Sequence, residues 1–79
     1  MNTIFLVYFE QLPKAISDLA TGDKNITISK DGLKPYGGSM FPRISIRIKN
    51  ISPSEDKDRN SKVKNLLQSL KDSGQIIGF

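Results

Sequence analysis

Alternating isoleucines and cations form the most informative stretch of this sequence, RISIRIKNI at residues 43–51. The isoleucines are Ile44, Ile46 and Ile48, and the cations between and beside them are Arg43, Arg47 and Lys49. Successive side chains of a strand point to opposite faces of a sheet. The stretch therefore predicts a strand with one apolar face and one basic face. Guanidinium and ammonium groups in such a row can contact phosphates or carboxylates.

The composition excludes most catalytic chemistry. The chain has no cysteine and no histidine, so thiolate catalysis, imidazole general bases and the usual zinc ligands are all absent. No serine or tyrosine stands in a recognisable nucleophile motif. The acids Glu55, Asp56 and Asp58 lack the spacing of a calcium loop and are typical of a helix start instead. We expect a protein that is not an enzyme and uses no cofactor or metal.

The positive charge is concentrated in the second half of the chain. The net charge is +4, yet residues 1–42 hold four lysines and four acids, whereas residues 43–79 hold eight bases and four acids. This asymmetry indicates an acidic partner. The length of 79 residues predicts a single domain, 1–79, with a small core.

The first half begins with a buried strand. Residues 3–9 are apolar apart from Thr3, and the run is too short to span a membrane. Pro13 suits the first turn of a helix, and apolar residues at helical spacing on both sides of it predict a helix that ends at Gly22. They are Leu12, Ile16, Leu19 and Ala20.

The middle of the chain predicts a strand, a turn and an irregular segment. NITIS at residues 25–29 alternates like a strand, and Lys30-Asp31-Gly32 is a turn signal. Two prolines and a Gly-Gly pair predict irregular structure over residues 33–42, within which residues 33–36 could still pair briefly with a neighbouring strand.

The second half predicts a strand, a helix and a last strand. Ser52-Pro53-Ser54-Glu55 has the form of a capping box, although Asn60 or Ser61 could cap a shorter helix. Gly74 ends this helix, and residues 75–79 predict a strand. The complete order is βαββαβ, which predicts a ferredoxin-like α+β fold with a four-stranded antiparallel sheet and two helices on one face.

This arrangement leaves one face of the sheet open, with Arg43, Arg47 and Lys49 on it. The first strand adds either Phe5, Val7 and Phe9 or Ile4, Leu6 and Tyr8. TIFLVYF at residues 3–9 resembles the first-strand motif of RNA-recognition-motif domains, which stack bases on an open sheet. The resemblance implies base stacking on Phe5 or Phe9. The third strand departs from that family, because RISIRIKNI has no aromatic residue or glycine.

The 33–42 segment carries three large apolar side chains, Tyr36, Met40 and Phe41. Two interpretations are open. The three side chains fold back as a lid on the small core, which we favour, or they form a partner-binding tip. Tyr36 and Phe41 therefore join the candidate binding residues.

Two functional hypotheses follow. The first is a module whose basic sheet face docks on nucleic acid or a nucleic-acid-handling complex through Arg43, Arg47 and Lys49. The second is a protein inhibitor of a host complex, similar in size and character to anti-CRISPR and other anti-defence proteins of phages and mobile elements. A third interpretation is that the cations only keep the sheet soluble. We expect a cytoplasmic monomer or small homo-oligomer without membrane contact.

Overall fold

A computed structural model of the chain describes residues 2–79, which form three strands and two helices. The elements in chain order are β1 (Asn2–Tyr8), α1 (Lys14–Gly22), β2 (Ile26–Tyr36), β3 (Ser39–Lys49) and α2 (Pro53–Asp72). The strands form one antiparallel sheet in the order β1-β3-β2. Within residues 2–79, no helix has both the length and the apolar character that a membrane crossing requires.

The prediction of a four-stranded ferredoxin-like sheet is wrong, because residues 75–79 do not form a strand. Their strand pairing with the sheet is reduced to a single bridge between Gly78 and Tyr8. The physical reason lies in the residues that follow α2. Gln75 donates its backbone N–H to the carbonyl of Leu70, and Ile76 is inserted into the core. Too few residues remain to pair along β1.

The prediction of an irregular segment over residues 33–42 is also wrong. β2 and β3 form a long hairpin closed by Gly37 and Gly38, whose φ angles of 59° and 87° only glycine adopts without strain. Pro35 is tolerated because the hydrogen-bond alternation directs its nitrogen to the outer edge of β2, where no ladder donor is lost.

The predicted turn at residues 30–32 is a β-bulge within β2. The register with β3 shifts between Lys30 and Gly32, and Gly32 has a φ of 76°. A bulge bends the strand and increases its twist. The bulge also carries Asp31, which points to the face of the sheet away from the helices.

The isoleucine face of β3 forms the centre of the core, as the sequence predicts. Ile44, Ile46 and Ile48 have no solvent exposure. Both helices cover this face of the sheet. Their core residues are Ile16 and Leu19 from α1 and Val63, Leu67 and Leu70 from α2. Burial of these apolar side chains is the main stabilising contribution to the fold.

Helix α2 begins at Pro53, as the longer prediction states, but the capping box does not form. The Ser52 side chain makes no capping hydrogen bond. Instead, a carboxylate oxygen of Asp56 accepts the backbone N–H of Ile51 at 2.8 Å. Acids at this end of the helix also interact favourably with its dipole.

Candidate functional site

The open face is the side of the sheet that the helices do not cover. On β1, Val7 is buried, so residues 4, 6 and 8 alternate with it and lie on the open face. On β3, the residues between the buried isoleucines lie there as well. The open face includes Ile4, Leu6 and Tyr8 from β1, Arg43, Ser45, Arg47 and Lys49 from β3, and Thr27, Ser29 and Asp31 from β2.

The strand register arranges these side chains in three columns. Ile4 lies opposite Arg47, which lies opposite Thr27 on its other side. One step along, Leu6 is in the same row as Ser45 and Ser29. An apolar column, a mainly cationic column and a hydroxyl column therefore run side by side, about 4.8 Å apart.

Arg43 is already paired within the molecule. Its Nε donates to Oδ2 of Asp31 at 2.9 Å, and the Ser45 hydroxyl donates to the same oxygen at 2.6 Å. These two donors, the Ser45 hydroxyl first, hold the pKa of Asp31 below its usual value despite partial burial. The Arg43 guanidinium also lies 5.9 Å from the centre of the Tyr8 ring. Its charge is therefore largely compensated.

Arg47 and Lys49 are different, because both are exposed and neither forms an ion pair with any residue in 2–79. They occupy the end of the open face away from Arg43. Ile4, which lies opposite Arg47, is 49% exposed, and the next apolar residue, Leu6, is 39% exposed. This end of the face combines free positive charge with accessible apolar surface.

Phe5 and Phe9 do not join the cations. Both are partly buried and pack against the core. Phe5 also contacts Phe79 edge-to-face, with ring centroids 6.5 Å apart. Of the two sets of β1 residues that the sequence allows on the open face, the structure selects the one with Ile4, Leu6 and Tyr8.

The residues of the predicted 33–42 segment lie at the hairpin end of the sheet. Tyr36 stacks on Tyr8 with ring centroids 4.5 Å apart, and its side chain fills the space where a Cβ of Gly78 would stand. Met40 is 57% exposed. Phe41 is partly buried opposite Lys34, outside the set of described side chains that pack against the core.

The cations of α2 lie away from the open face. Arg59 donates to Asp23 at 2.6 Å across the gap between the helix and the start of β2. This hydrogen bond is the main reason that the pKa of Asp23 lies below its usual value. The backbone N–H of Asn25, which donates to the same carboxylate, lowers that pKa further. The exposed lysines of α2 are Lys57, Lys62, Lys64 and Lys71. Within residues 2–79, no cluster of three or more acidic side chains could hold a metal ion.

Sequence reasoning missed the partners of Arg43. The sequence predicts a turn at Asp31 and Gly32, and a turn does not place the carboxylate on the sheet face. An acid and a glycine in the middle of an alternating run are also typical of a β-bulge, and this signal could have predicted the contact.

The search for similar proteins found no match among family models, curated proteins or solved structures.

Proposed function

We propose that this protein is a non-catalytic module whose open face binds single-stranded nucleic acid. The observation that carries the proposal is the pair of exposed, unpaired cations Arg47 and Lys49 beside the exposed apolar residues Ile4 and Leu6. The acid on this face, Asp31, is already held by Arg43 and Ser45 and repels an incoming phosphate less than a free carboxylate would.

The geometry favours a single strand over a duplex. Arg47 and Lys49 are two positions apart on β3, so their Cα atoms are separated by about 7 Å. Two neighbouring phosphates of an extended strand can match this separation. Unpaired bases can then lie on the apolar column and on the guanidinium plane of Arg47. A duplex offers its charged backbone to a flat surface and leaves Ile4 and Leu6 without an apolar contact.

Fluorescence anisotropy with labelled single-stranded RNA and DNA tests the proposal. Binding must weaken as salt rises, with a log–log slope of roughly −1.4 if two phosphates are neutralised. Arg47→Glu combined with Lys49→Glu should abolish binding and leave the circular dichroism spectrum unchanged. The matched control is Lys62→Glu with Lys64→Glu, which changes the net charge equally on α2 and should retain most of the affinity.

Three results would overturn the proposal. They are binding that is insensitive to salt, no binding to either RNA or DNA, and an equal loss of affinity in the Arg47/Lys49 and Lys62/Lys64 double variants. If a nuclease-treated bacterial lysate yields a single protein complex on the wild-type protein but not on the Arg47/Lys49 variant, the open face is a protein-binding surface. That outcome would support the inhibitor hypothesis instead.

A further inference from the structure

The outer edge of β1 carries unpaired backbone groups. Tyr8 directs both polar groups outward, since its N–H donates to Gly78 at 2.9 Å and its carbonyl accepts from Ile77 at 2.8 Å. Because these directions alternate along an antiparallel strand, Asn2, Ile4 and Leu6 also direct their N–H and C=O groups outward. Among residues 2–79, no strand pairs with them on that side.

The β1 edge has none of the sequence features that prevent a sheet edge from pairing with another strand. Residues 2–7 contain no charge, no proline and no bulge. Ile4 and Leu6 also present exposed apolar side chains on the open face, directly beside the free backbone groups. Exposed edges of this kind readily accept another strand.

We propose that β1 pairs with β1 of a second copy of this chain, antiparallel and centred on Ile4. In this register Ile4 faces Ile4, and Asn2 of each copy faces Leu6 of the other. The three pairs supply six backbone hydrogen bonds. The two three-stranded sheets become one continuous sheet of six strands, related by a two-fold axis.

The C-terminal segment is compatible with this register. Gly78 bridges Tyr8 alone, and the Phe79 ring packs against Phe5 and the core, on the face of the sheet that the helices cover. Pairing centred on Ile4 uses residues 2–6 and stays clear of this bridge. A register shifted toward the end of β1 would have to displace Gly78.

Charge and shape favour a second copy of this chain as the partner that pairs with the β1 edge. The pairing strand is uncharged, so two copies meet without repulsion at the contact. The cations nearest to the two-fold axis in the row of Ile4 are the two Arg47 side chains. They are three strand spacings apart, about 14 Å, which exceeds the Debye length of about 8 Å at physiological salt. Self-pairing also brings the two apolar columns together at the centre of the open face.

Sedimentation equilibrium over a concentration series tests the pairing. The mass of the wild-type protein should rise from 8.8 kDa toward twice that value. The buried area is at the small end of the range for specific interfaces, below about 1,200 Å², so the transition is expected at micromolar concentrations or above. A protein that stays monomeric at millimolar concentration overturns the proposal.

Ile4→Lys identifies the edge that pairs. It places like charges opposite each other on the two-fold axis and should weaken dimerisation at least about tenfold. Thr27→Lys is the matched control, because Thr27 is exposed in the same row and also lies beside Arg47, but at the β2 edge. It should leave the dimer intact, and equal weakening by both substitutions would overturn the proposal.

A charge-complementation experiment tests the register. Ile4→Glu should also weaken self-association, and an equimolar mixture with Ile4→Lys should form a heterodimer because opposite charges then meet at the axis. Failure of the mixture to associate would exclude pairing centred on Ile4. If the wild type is monomeric and instead binds a strand of an unrelated protein at this edge, the second copy is not the occupant.

Discussion

The two edges of the sheet differ in almost every respect that governs strand pairing. The β2 edge has a bulge at Lys30–Gly32, a proline at position 35 and lysines at positions 30 and 34. The β1 edge is regular and uncharged over residues 2–7 and apolar over residues 4–7. Both strands flank the same central strand, so the difference does not arise from their place in the fold. The β2 edge is therefore protected from pairing with other chains, whereas the β1 edge can accept another strand.

Two proline substitutions compare the two sides of the β1 backbone, and one of them should cause the greatest loss of stability. Val7→Pro removes an N–H that pairs with β3, and we expect it to reduce the free energy of unfolding by about 3 kcal/mol or more. Leu6→Pro removes only an outward-pointing N–H and should cost about 1 kcal/mol. Urea denaturation measures both values.

Leu6→Pro should also prevent dimerisation, since its nitrogen faces the second copy. Sedimentation of the folded variant provides this readout. Equal loss of stability in the two proline variants would show that the backbone directions inferred for β1 are wrong.

A smaller effect concerns the bulge on the β2 edge. Asp31→Asn removes the carboxylate that accepts from Arg43 and Ser45, and we expect a loss of about 1 kcal/mol near neutral pH. The folded-state pKa of Asp31 is below its ordinary value of 3.8, so its stabilisation is present above that pH and is lost as the pH falls through the folded-state pKa.

Thermal melting between pH 6 and pH 2 measures this contribution. The difference in Tm between wild type and Asp31→Asn should be constant above about pH 5 and should shrink as the solution becomes more acidic. A difference that does not change with pH would mean that the ion pair does not stabilise the bulge.

The smallest effect on stability is expected for the lysines of the β2 edge. Lys30→Thr with Lys34→Thr should change the free energy of unfolding by less than about 0.5 kcal/mol, because neither lysine forms an ion pair within residues 2–79. The double variant should nevertheless associate more than its parent. Sedimentation in an Ile4→Lys background isolates the β2 edge, and unchanged association there would show that the bulge and Pro35 protect it without the lysines.

Much of the core could be predicted from local pattern, because alternation in β3 reports directly on burial. Ile44, Ile46 and Ile48 are the clearest case. The long hairpin was not predictable in the same way. Its turn depends on glycine conformation, and Pro35 is tolerated because its nitrogen points to the outer edge of β2, a direction that the sequence does not display.

The candidate site was predicted in part. Alternation predicts that Arg43, Arg47 and Lys49 lie on one face of the sheet. It cannot show that the charge of Arg43 is paired within the molecule whereas the charges of Arg47 and Lys49 are not. That distinction depends on the bulge that brings Asp31 within 2.9 Å of Arg43. The sequence also leaves open which of the two alternating sets of β1 side chains faces the helices, since every residue from 4 to 9 is apolar or aromatic. Only burial of Val7 against the helices excludes Phe5 and Phe9 from the open face.

The contacts among Tyr8, Tyr36 and Gly78 bear on the order in which the parts of the chain fold. The β2–β3 hairpin closes across two residues, whereas the bridge from Tyr8 to Gly78 closes a loop of roughly 70 residues. Contacts that are distant in sequence carry the larger entropy of closure and form late. We therefore expect the contact between the C-terminal residues and Tyr8 to form after the β2–β3 hairpin during folding.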